Sequence, residues 1–292
     1  MGAVTAFDPV AEHERTRVAL EAAIGRLVAL TDGIGDLEVP SGVPVWSVGD
    51  VGAHLAAVYL AYGAAIPDAR SGEATEGIDW DAVLAGRDGT FGERIAAVNA
   101  LSVGLVAGAE RKRLGAILAG RGAAFLRDSA GLAPDTPVPS PWYGPGRTVP
   151  LAAATGLMLS ETLVHGLDMA RGARRPWALT SEEASLVIGQ AMVTMMPLAL
   201  DAEKARGVRI AFDLALKSGP RLAVVVEDGA ATVTRDPAPR PYDCRITAAP
   251  AAFLLVSFGR MPLWKAIALG RMRAGGRRPW LATRLSELIT AP

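Results

Sequence analysis

The chain has 292 residues with 30 basic and 30 acidic side chains, half of its residues are hydrophobic, and its mean hydropathy is +0.27. This balance excludes a disordered chain and gives no indication of a nucleic-acid partner or of binding to an acidic membrane surface. The only cysteine, Cys244, excludes an intrachain disulfide and fits a reducing cytoplasm, and we expect it to pack as a small hydrophobic side chain in a strand. The first residues lack the features of a signal peptide, and the longest apolar run, 51–66, is too short to span a bilayer. We therefore expect a cytoplasmic protein with room for two domains.

Helical periodicity and capping signals predict that the first two thirds of the chain is all-helical. Asp8-Pro9 marks the start of the first helix, and Ser47 with Asp50 has the Ser-x-x-acid pattern of a capping box at the start of the second. We expect one long third helix, broken near Gly115 or at 120–122. The predicted helices run over 9–32, 48–66, 91–128, 151–171 and 181–200.

The segment 132–150 carries six prolines, which exclude a helix or a central strand, and it leads directly into the fourth predicted helix, where it is placed to shape a pocket. After residue 201 the hydrophobic period changes to that of strands, at 208–214, 222–226, 231–234 and 244–247. Helical stretches return at about 250–258, 262–269 and 279–289. The prediction is a mainly α protein, with a helical domain over 1–201 followed by a smaller α+β domain over 202–292.

Glu161 and His165 lie four residues apart on the fourth predicted helix, so both side chains project from one face and can bind one ion. A zinc-like cation needs a third protein ligand, and the chain has only two other histidines. We interpret His13 as a solvated surface residue, which leaves His54 near the start of the second helix. The alternative is a solvated Glu-x-x-x-His pair and a core histidine bonded to a carbonyl. The apolar residues that flank Glu161 favour the metal site, because an unpaired carboxylate is costly to bury.

The stretches Trp46-Ser-Val-Gly-Asp50-Val-Gly-Ala-His54-Leu55 and Glu161-Thr-Leu-Val-His165-Gly-Leu-Asp168-Met-Ala resemble the mycothiol-dependent maleylpyruvate isomerase family, which belongs to the DinB-like four-helix-bundle metalloproteins. The tail, with 251–255 and 270–280, looks like a sterol carrier protein type two domain. The resemblance implies that His54, Glu161 and His165 are the metal ligands. It also implies mycothiol, an actinobacterial thiol, as the cosubstrate. The excess of arginine over lysine fits the GC-rich genome of an actinobacterium.

Two histidines and one carboxylate leave a coordination position for water or substrate, as in a catalytic site for zinc or another divalent metal. A thiol that binds there loses its proton more readily and becomes a nucleophile. The resemblance then implies either cis-trans isomerisation of an enedioate or transfer of the thiol to a small electrophile. The expected partners are these small molecules, and the expected state is a monomer or a small homo-oligomer.

Several side chains are candidates for the pocket around the metal. Trp46 either lines the pocket or forms a hydrophobic staple, and Asp168 either orients a ligand or is a plain surface carboxylate. Asp50 is interpreted as a helix cap. Gly49 and Gly52 indicate either close helix packing or room for a substrate. A dianionic substrate needs arginines, for which the candidates are Arg87, Arg94, Arg147, Arg171 and Arg235.

Two other classes of function stay open. In one, the chain is a lipid or hydrophobic-ligand binding protein that acts through its C-terminal domain. In the other, it is a non-catalytic stress-associated bundle.

Overall fold

The structure, a computed structural model, describes residues 7–71, 91–106, 108–144 and 146–289. The candidate Arg87 lies outside these residues. The described residues belong to two compact units, one within 1–80 and 101–177 and the other within 81–100 and 178–292. Along the described part of the chain, no helix has the length and hydropathy needed to cross a bilayer.

The first two helices begin where the capping signals predict. Helix α1, Pro9–Asp32, starts after Asp8, whose carboxylate accepts hydrogen bonds from the backbone N–H groups of Val10 and Ala11. Helix α2, Val48–Ser71, follows a reciprocal capping box: Ser47 Oγ accepts from Asp50 N at 3.1 Å, and Asp50 Oδ2 accepts from Ser47 N at 2.9 Å. The interpretation of Asp50 as a cap is confirmed. Helix α2 runs past the predicted end at 66 and contains Pro67.

The prediction of one long third helix is wrong. Helix α3, Phe91–Ser102, and helix α4, Leu114–Asp128, are separated by 3-10 turns at Val103–Leu105 and Glu110–Arg113. The glycines at 115, 120 and 122 lie inside α4. At Gly122 a Cβ atom would stand 2.7 Å from Ile24 Cδ1 on α1, so close packing of two helices explains that glycine, and the chain breaks elsewhere.

Helices α1, α2 and α4 form a four-helix bundle with α5, Leu151–Gly172, because α1 and α2 each pack against both α4 and α5. Helix α5 is buried along nearly its whole length, which fits its Leu, Ala and Met content. The bundle core includes fully buried large side chains from all four helices: Leu20, Leu27, Leu55, Tyr59, Leu118, Phe125, Met158 and Leu159.

In its described residues, the proline-rich segment before α5 forms no α-helix and no central strand, as predicted. Two short strands, β1 (Pro137–Pro139) and β2 (Thr148–Pro150), pair antiparallel with Val138 opposite Val149. A single 3-10 turn, Pro141–Tyr143, lies between them. Backbone hydrogen bonds from Leu151 N and Ala152 N to the oxygens of Thr136 and Pro134 tie this segment to the first turn of α5.

The second unit contains a five-stranded sheet in the order β5-β4-β3-β6-β7, with β3 and β6 parallel and the other pairs antiparallel. Its alternating side chains bury Phe212, Val224 and Ile246. The α+β prediction for the tail is therefore confirmed. The strands are β3 Arg209–Leu216, β4 Arg221–Glu227, β5 Ala230–Thr234, β6 Cys244–Ala248 and β7 Met272–Gly275, of which β7 was missed. The helices are α6 Ser181–Val187, α7 Val193–Leu198, α8 Pro250–Ser257, α9 Leu263–Ala268 and α10 Ala282–Leu288.

A short π-helical stretch, Ile188–Met192, joins α6 to α7. Both helices belong to the second unit, where α6 packs on α8 and α7 packs on β5. The first unit therefore ends at Trp177. The predicted domain division after residue 201 stays a prediction, and so does the likeness of 202–292 to a sterol carrier domain. Cys244 is a buried free thiol on β6, in the packing role expected for it.

Candidate metal centre

Three side chains from two helices converge in the first unit. His54 lies in the second turn of α2, and Glu161 and His165 lie one turn apart on α5. Glu161 Oε2 is 3.3 Å from His54 Nε2 and 3.3 Å from His165 Nε2. One ligand atom from each residue lies within 4.8 Å of the others, and in the described residues this is the one such group of His, Cys, Asp and Glu side chains. The structure brings together the three residues chosen from the sequence.

The donor geometry fits a small divalent cation. Two ligands that each bind at about 2.0–2.1 Å in a tetrahedral arrangement stand about 3.3–3.4 Å apart. The separation of Glu161 Oε2 from each imidazole Nε2 is 3.3 Å. His54 is 1% exposed, while the side chains of His165 and Glu161 are 14% and 28% exposed. The centre is therefore closed on the His54 side and accessible from the Glu161 side.

Each imidazole is held from behind through its Nδ1 atom. His54 Nδ1 lies 2.7 Å from Ser102 Oγ, at the end of α3, and His165 Nδ1 lies 3.1 Å from Asp168 Oδ2. Asp168 is 0% exposed, so the alternative of a plain surface carboxylate is wrong. The spacing of three residues from His165 indicated Asp168. Nothing in the sequence indicated Ser102, because it is distant from His54 along the chain.

The protonation states follow from these contacts. Burial alone would raise the pKa of Glu161, but its hydrogen bonds with His165 and His54 outweigh burial and hold that pKa far below its ordinary value. Burial lowers the pKa of His54, and this effect outweighs the hydrogen bond to Glu161. Burial also opposes the charge on His165, yet hydrogen bonds to Asp168 and Glu161 raise the pKa of His165 to about 9. Without a cation, the centre therefore holds an ionised Glu161, a neutral His54 and a protonated His165.

Trp46 lies against both imidazoles. Its ring centroid is 5.2 Å from that of His54 and 6.4 Å from that of His165, and the two imidazoles meet edge to face at 4.9 Å. Trp46 stands in a loop closed by a bridge between Pro40 and Ser47, and Gly42 N in that loop donates to Asp168 O on α5 at 2.9 Å. This anchoring places the indole as one wall of the centre.

The proline-rich segment contributes aromatic side chains to the same region. Trp142 packs edge to face on Tyr62 of α2 with a centroid distance of 4.9 Å, and the hydroxyls of Tyr62 and Tyr143 are 2.9 Å apart. Burial raises the pKa of Tyr143 to about 12, with a smaller contribution from the charge of Glu161. Burial and the neighbouring Tyr143 also raise the pKa of Tyr62, and the Glu161 charge adds to this effect. Both phenols therefore stay protonated at neutral pH.

The interpretation of His13 as a solvated surface residue is wrong. His13 is 4% exposed on the inner face of α1, and its Nε2 lies 3.1 Å from Thr155 Oγ1. The Thr155 hydroxyl donates to Leu151 O at 2.9 Å, so its oxygen accepts the His13 N–H. His13 is a core histidine of the bundle. The sequence reading failed because the neighbouring Glu14 and Arg15 are exposed, while His13 faces the core.

The two glycines near His54 lie at positions of close packing. A Cβ atom on Gly52 would stand 3.2 Å from Leu114 Cγ on α4, and one on Gly49 would stand 3.2 Å from Leu37 Cβ and Leu37 O. Of the two explanations that the sequence left open, close packing is the one that the structure bears out.

The structure leaves the roles of the candidate arginines as predictions. Arg147 and Arg171 are exposed in the first unit, Arg147 before β2 and Arg171 in the last turn of α5. Arg94 on α3 and Arg235 belong to the second unit, where Arg235 donates to Gly189 O at 3.2 Å.

The chain is similar to one known protein family and to solved structures. The model of the family described as "Mycothiol maleylpyruvate isomerase N-terminal domain" matches residues 18–170, which is more than half of the chain. The crystal structure of the mycothiol-dependent maleylpyruvate isomerase is similar with a TM-score of 0.50 at 16% identity, over 94% of this chain and 96% of that chain. The crystal structure of a histidine-to-alanine mutant of that isomerase has a TM-score of 0.54 at 14% identity, with the same coverage of 94% and 96%. No curated protein matches the chain. At these identities the likeness to the two crystal structures shows a shared fold.

Proposed function

The chain belongs to the mycothiol maleylpyruvate isomerase family, and from that premise we propose that it is a metal-dependent enzyme with mycothiol as its cosubstrate. The proposed reaction is cis-trans isomerisation of a maleylpyruvate-like enedioate or, on the same site, transfer of the thiol to a small electrophile. The observation that carries the proposal is the approach of two imidazole Nε2 atoms to one carboxylate oxygen, each at 3.3 Å.

His54, Glu161 and His165 would hold the cation, with zinc as the default for two imidazoles and one carboxylate. A divalent cation held there with a vacant position lowers the pKa of a coordinated thiol, which is about 8.5 in free cysteine, and so supplies a thiolate at neutral pH. The chain's own residues prepare this site: Ser102 and Asp168 fix the imidazole rings, and ionised Glu161 supplies a negative ligand.

The isomerisation needs a thiol sulfur that adds to the cis double bond. The electron pair of that bond moves onto the conjugated carbonyl group. The former double bond is now a single carbon–carbon bond and can rotate. When the electron pair returns from the carbonyl group, the sulfur leaves, which gives the trans product and returns the thiol. The chain must hold one end of the substrate while the other end rotates, and it must keep bulk water away. Trp46 supports the second task because it covers both imidazoles.

Metal analysis and a thiol-dependent assay test the proposal together. We expect near-stoichiometric bound metal and mycothiol-dependent turnover of an enedioate or another electrophile in the wild-type protein. His54→Ala should lose both. His13→Gln is the matched control, because it alters another buried histidine of the same bundle and should retain both metal and turnover.

The outcomes separate the proposal from its rivals. Retention of metal by His54→Ala would exclude the proposed ligand set. Bound metal without turnover for any thiol and electrophile would favour a non-catalytic bundle. The lipid-carrier alternative stays a prediction for the tail, and it would be supported by lipid binding of the full chain that His54→Ala leaves unchanged.

A further inference from the structure

The rear nitrogen of His54 is held by a single hydroxyl group. Nδ1 lies 2.7 Å from Ser102 Oγ, while Nε2 lies 3.3 Å from Glu161 Oε2. The His54 side chain is 1% exposed, so its ring is held by protein groups and not by bulk water. In this orientation both ring nitrogens have a partner, and a flipped ring would present Cδ2 to Ser102 and Cε1 to Glu161, so both contacts would be lost.

The direction of the Ser102 hydrogen bond follows from the use of Nε2 as a ligand. A cation binds the lone pair of Nε2, so the imidazole hydrogen must reside on Nδ1. Nδ1–H then donates, and Ser102 Oγ accepts. Ser102 is 8% exposed, and its side chain makes no capping hydrogen bond to the 3-10 turn Val103–Leu105 that follows it. Its hydroxyl is therefore placed within hydrogen-bond distance of His54.

The two imidazoles have rear partners of different charge. His165 is backed by the carboxylate of Asp168, which is 0% exposed, whereas His54 is backed by a neutral hydroxyl. With both imidazoles neutral, Glu161 and Asp168 contribute two negative charges. These two charges balance one divalent cation. A second carboxylate behind His54 would leave an excess negative charge in a buried site, where it would repel an anionic ligand strongly.

We propose that Ser102 is a positioning residue, which fixes the orientation of His54 and, because its hydroxyl is uncharged, adds no negative charge beside an anionic thiolate. The positioning part rests only on the contacts of His54. The part about the thiolate rests on the proposed function.

The first test measures the affinity for Zn²⁺ by competition with a chromophoric chelator. Loss of a group that orients a ligand histidine typically costs 10- to 100-fold in metal affinity, so we expect about that loss in Ser102→Ala. Ser102→Thr keeps the hydroxyl and should stay within about threefold of the wild type. Circular dichroism and the melting temperature of the metal-free proteins check that both variants fold. An affinity of Ser102→Ala within twofold of the wild type would overturn the positioning role.

The second test compares Ser102→Asn with Ser102→Asp, two side chains of nearly the same shape that differ in charge. Both offer an oxygen to Nδ1–H, so both should bind Co²⁺. The affinity of the Co²⁺-loaded proteins for 2-mercaptoethanol, followed by sulfur-to-cobalt charge-transfer absorbance, should be at least about tenfold weaker for the Asp variant. Equal thiol affinities would overturn the charge argument, and loss of Co²⁺ in both variants would overturn the positioning argument. Absence of mycothiol turnover in the wild type would refute the proposed function and leave the Zn²⁺ result standing.

Discussion

Cation binding at His54, Glu161 and His165 should displace one proton near neutral pH. Histidine must be neutral and a carboxylate ionised before either can act as a ligand. Glu161 is already ionised and His54 is already neutral, because their pKa values are lowered by the causes given above. His165 alone carries a proton that must leave, since its pKa is raised to about 9.

The size of the effect follows from that pKa. At pH 7, two units below the His165 value of about 9, about one protein molecule in a hundred has a neutral His165. Removal of the proton costs about 3 kcal/mol. The apparent affinity at pH 7 should therefore be about a hundredfold weaker than that of the fully deprotonated site. It should rise about tenfold between pH 6 and pH 7.

Chelator competition with Zn²⁺ at several pH values from 6 to 7 measures this slope. This range stays below about pH 7, where zinc-bound water in a protein site begins to release a proton of its own. Calorimetry in two buffers of different ionisation enthalpy counts the protons released. Asp168→Asn removes a carboxylate that raises the His165 pKa, so its slope should be shallower. Asp36→Asn changes an exposed carboxylate and should keep the wild-type slope. A Zn²⁺ affinity that does not change with pH, or one that rises a hundredfold per pH unit, would refute the conclusion that His165 alone loses one proton.

Two further predictions concern the bundle around the centre. In Gly166→Ala, the new Cβ atom would stand 2.6 Å from Trp177 Cε2, so we expect a loss of about 1–3 kcal/mol in the free energy of unfolding by urea. Gly63→Ala, also within a helix but with nothing within 4 Å of the added Cβ, should be neutral or stabilising, and equal losses in both variants would contradict the packing explanation. Burial lowers the pKa of His13 from 6.5 to about 4, so between these pH values the unfolded chain binds more protons than the folded chain. The contribution of His13 to stability is therefore complete above pH 6.5 and should fall as the pH approaches 4. The loss is at most about 3 kcal/mol. The free energy of unfolding should differ less between pH 7.5 and pH 5 in His13→Leu than in the wild type. Equal differences in the two proteins would contradict this account of His13.

The helices were predictable where local signals decide. Asp8-Pro9 and the Ser47/Asp50 box marked two helix starts, because a capping side chain satisfies backbone N–H groups within its own turn. The change from helical to alternating periodicity marked the sheet. The break between α3 and α4 was misplaced, because Gly115 and Gly122 are used for close packing against α1, which a local pattern cannot show.

The sequence by itself was enough to select the candidate metal ligands. Glu161 and His165 share a helix face at fixed spacing, and a chain with three histidines leaves few choices for the third ligand. The spacing also placed Asp168 beside His165, because the helix repeat alone sets that neighbour.

Only the tertiary structure decided that His54 meets Glu161 and His165, and which polar group lies behind its ring. His54 and His13 are both buried, and they differ in their neighbours: His54 meets Ser102 and Glu161, while His13 meets Thr155. These contacts join residues far apart along the chain, so they depend on how α1, α2 and α5 pack and on where Ser102 lies within the first unit. Helix periodicity tells which side chains share a face, but the packing of whole helices sets which faces meet and therefore which polar groups become partners.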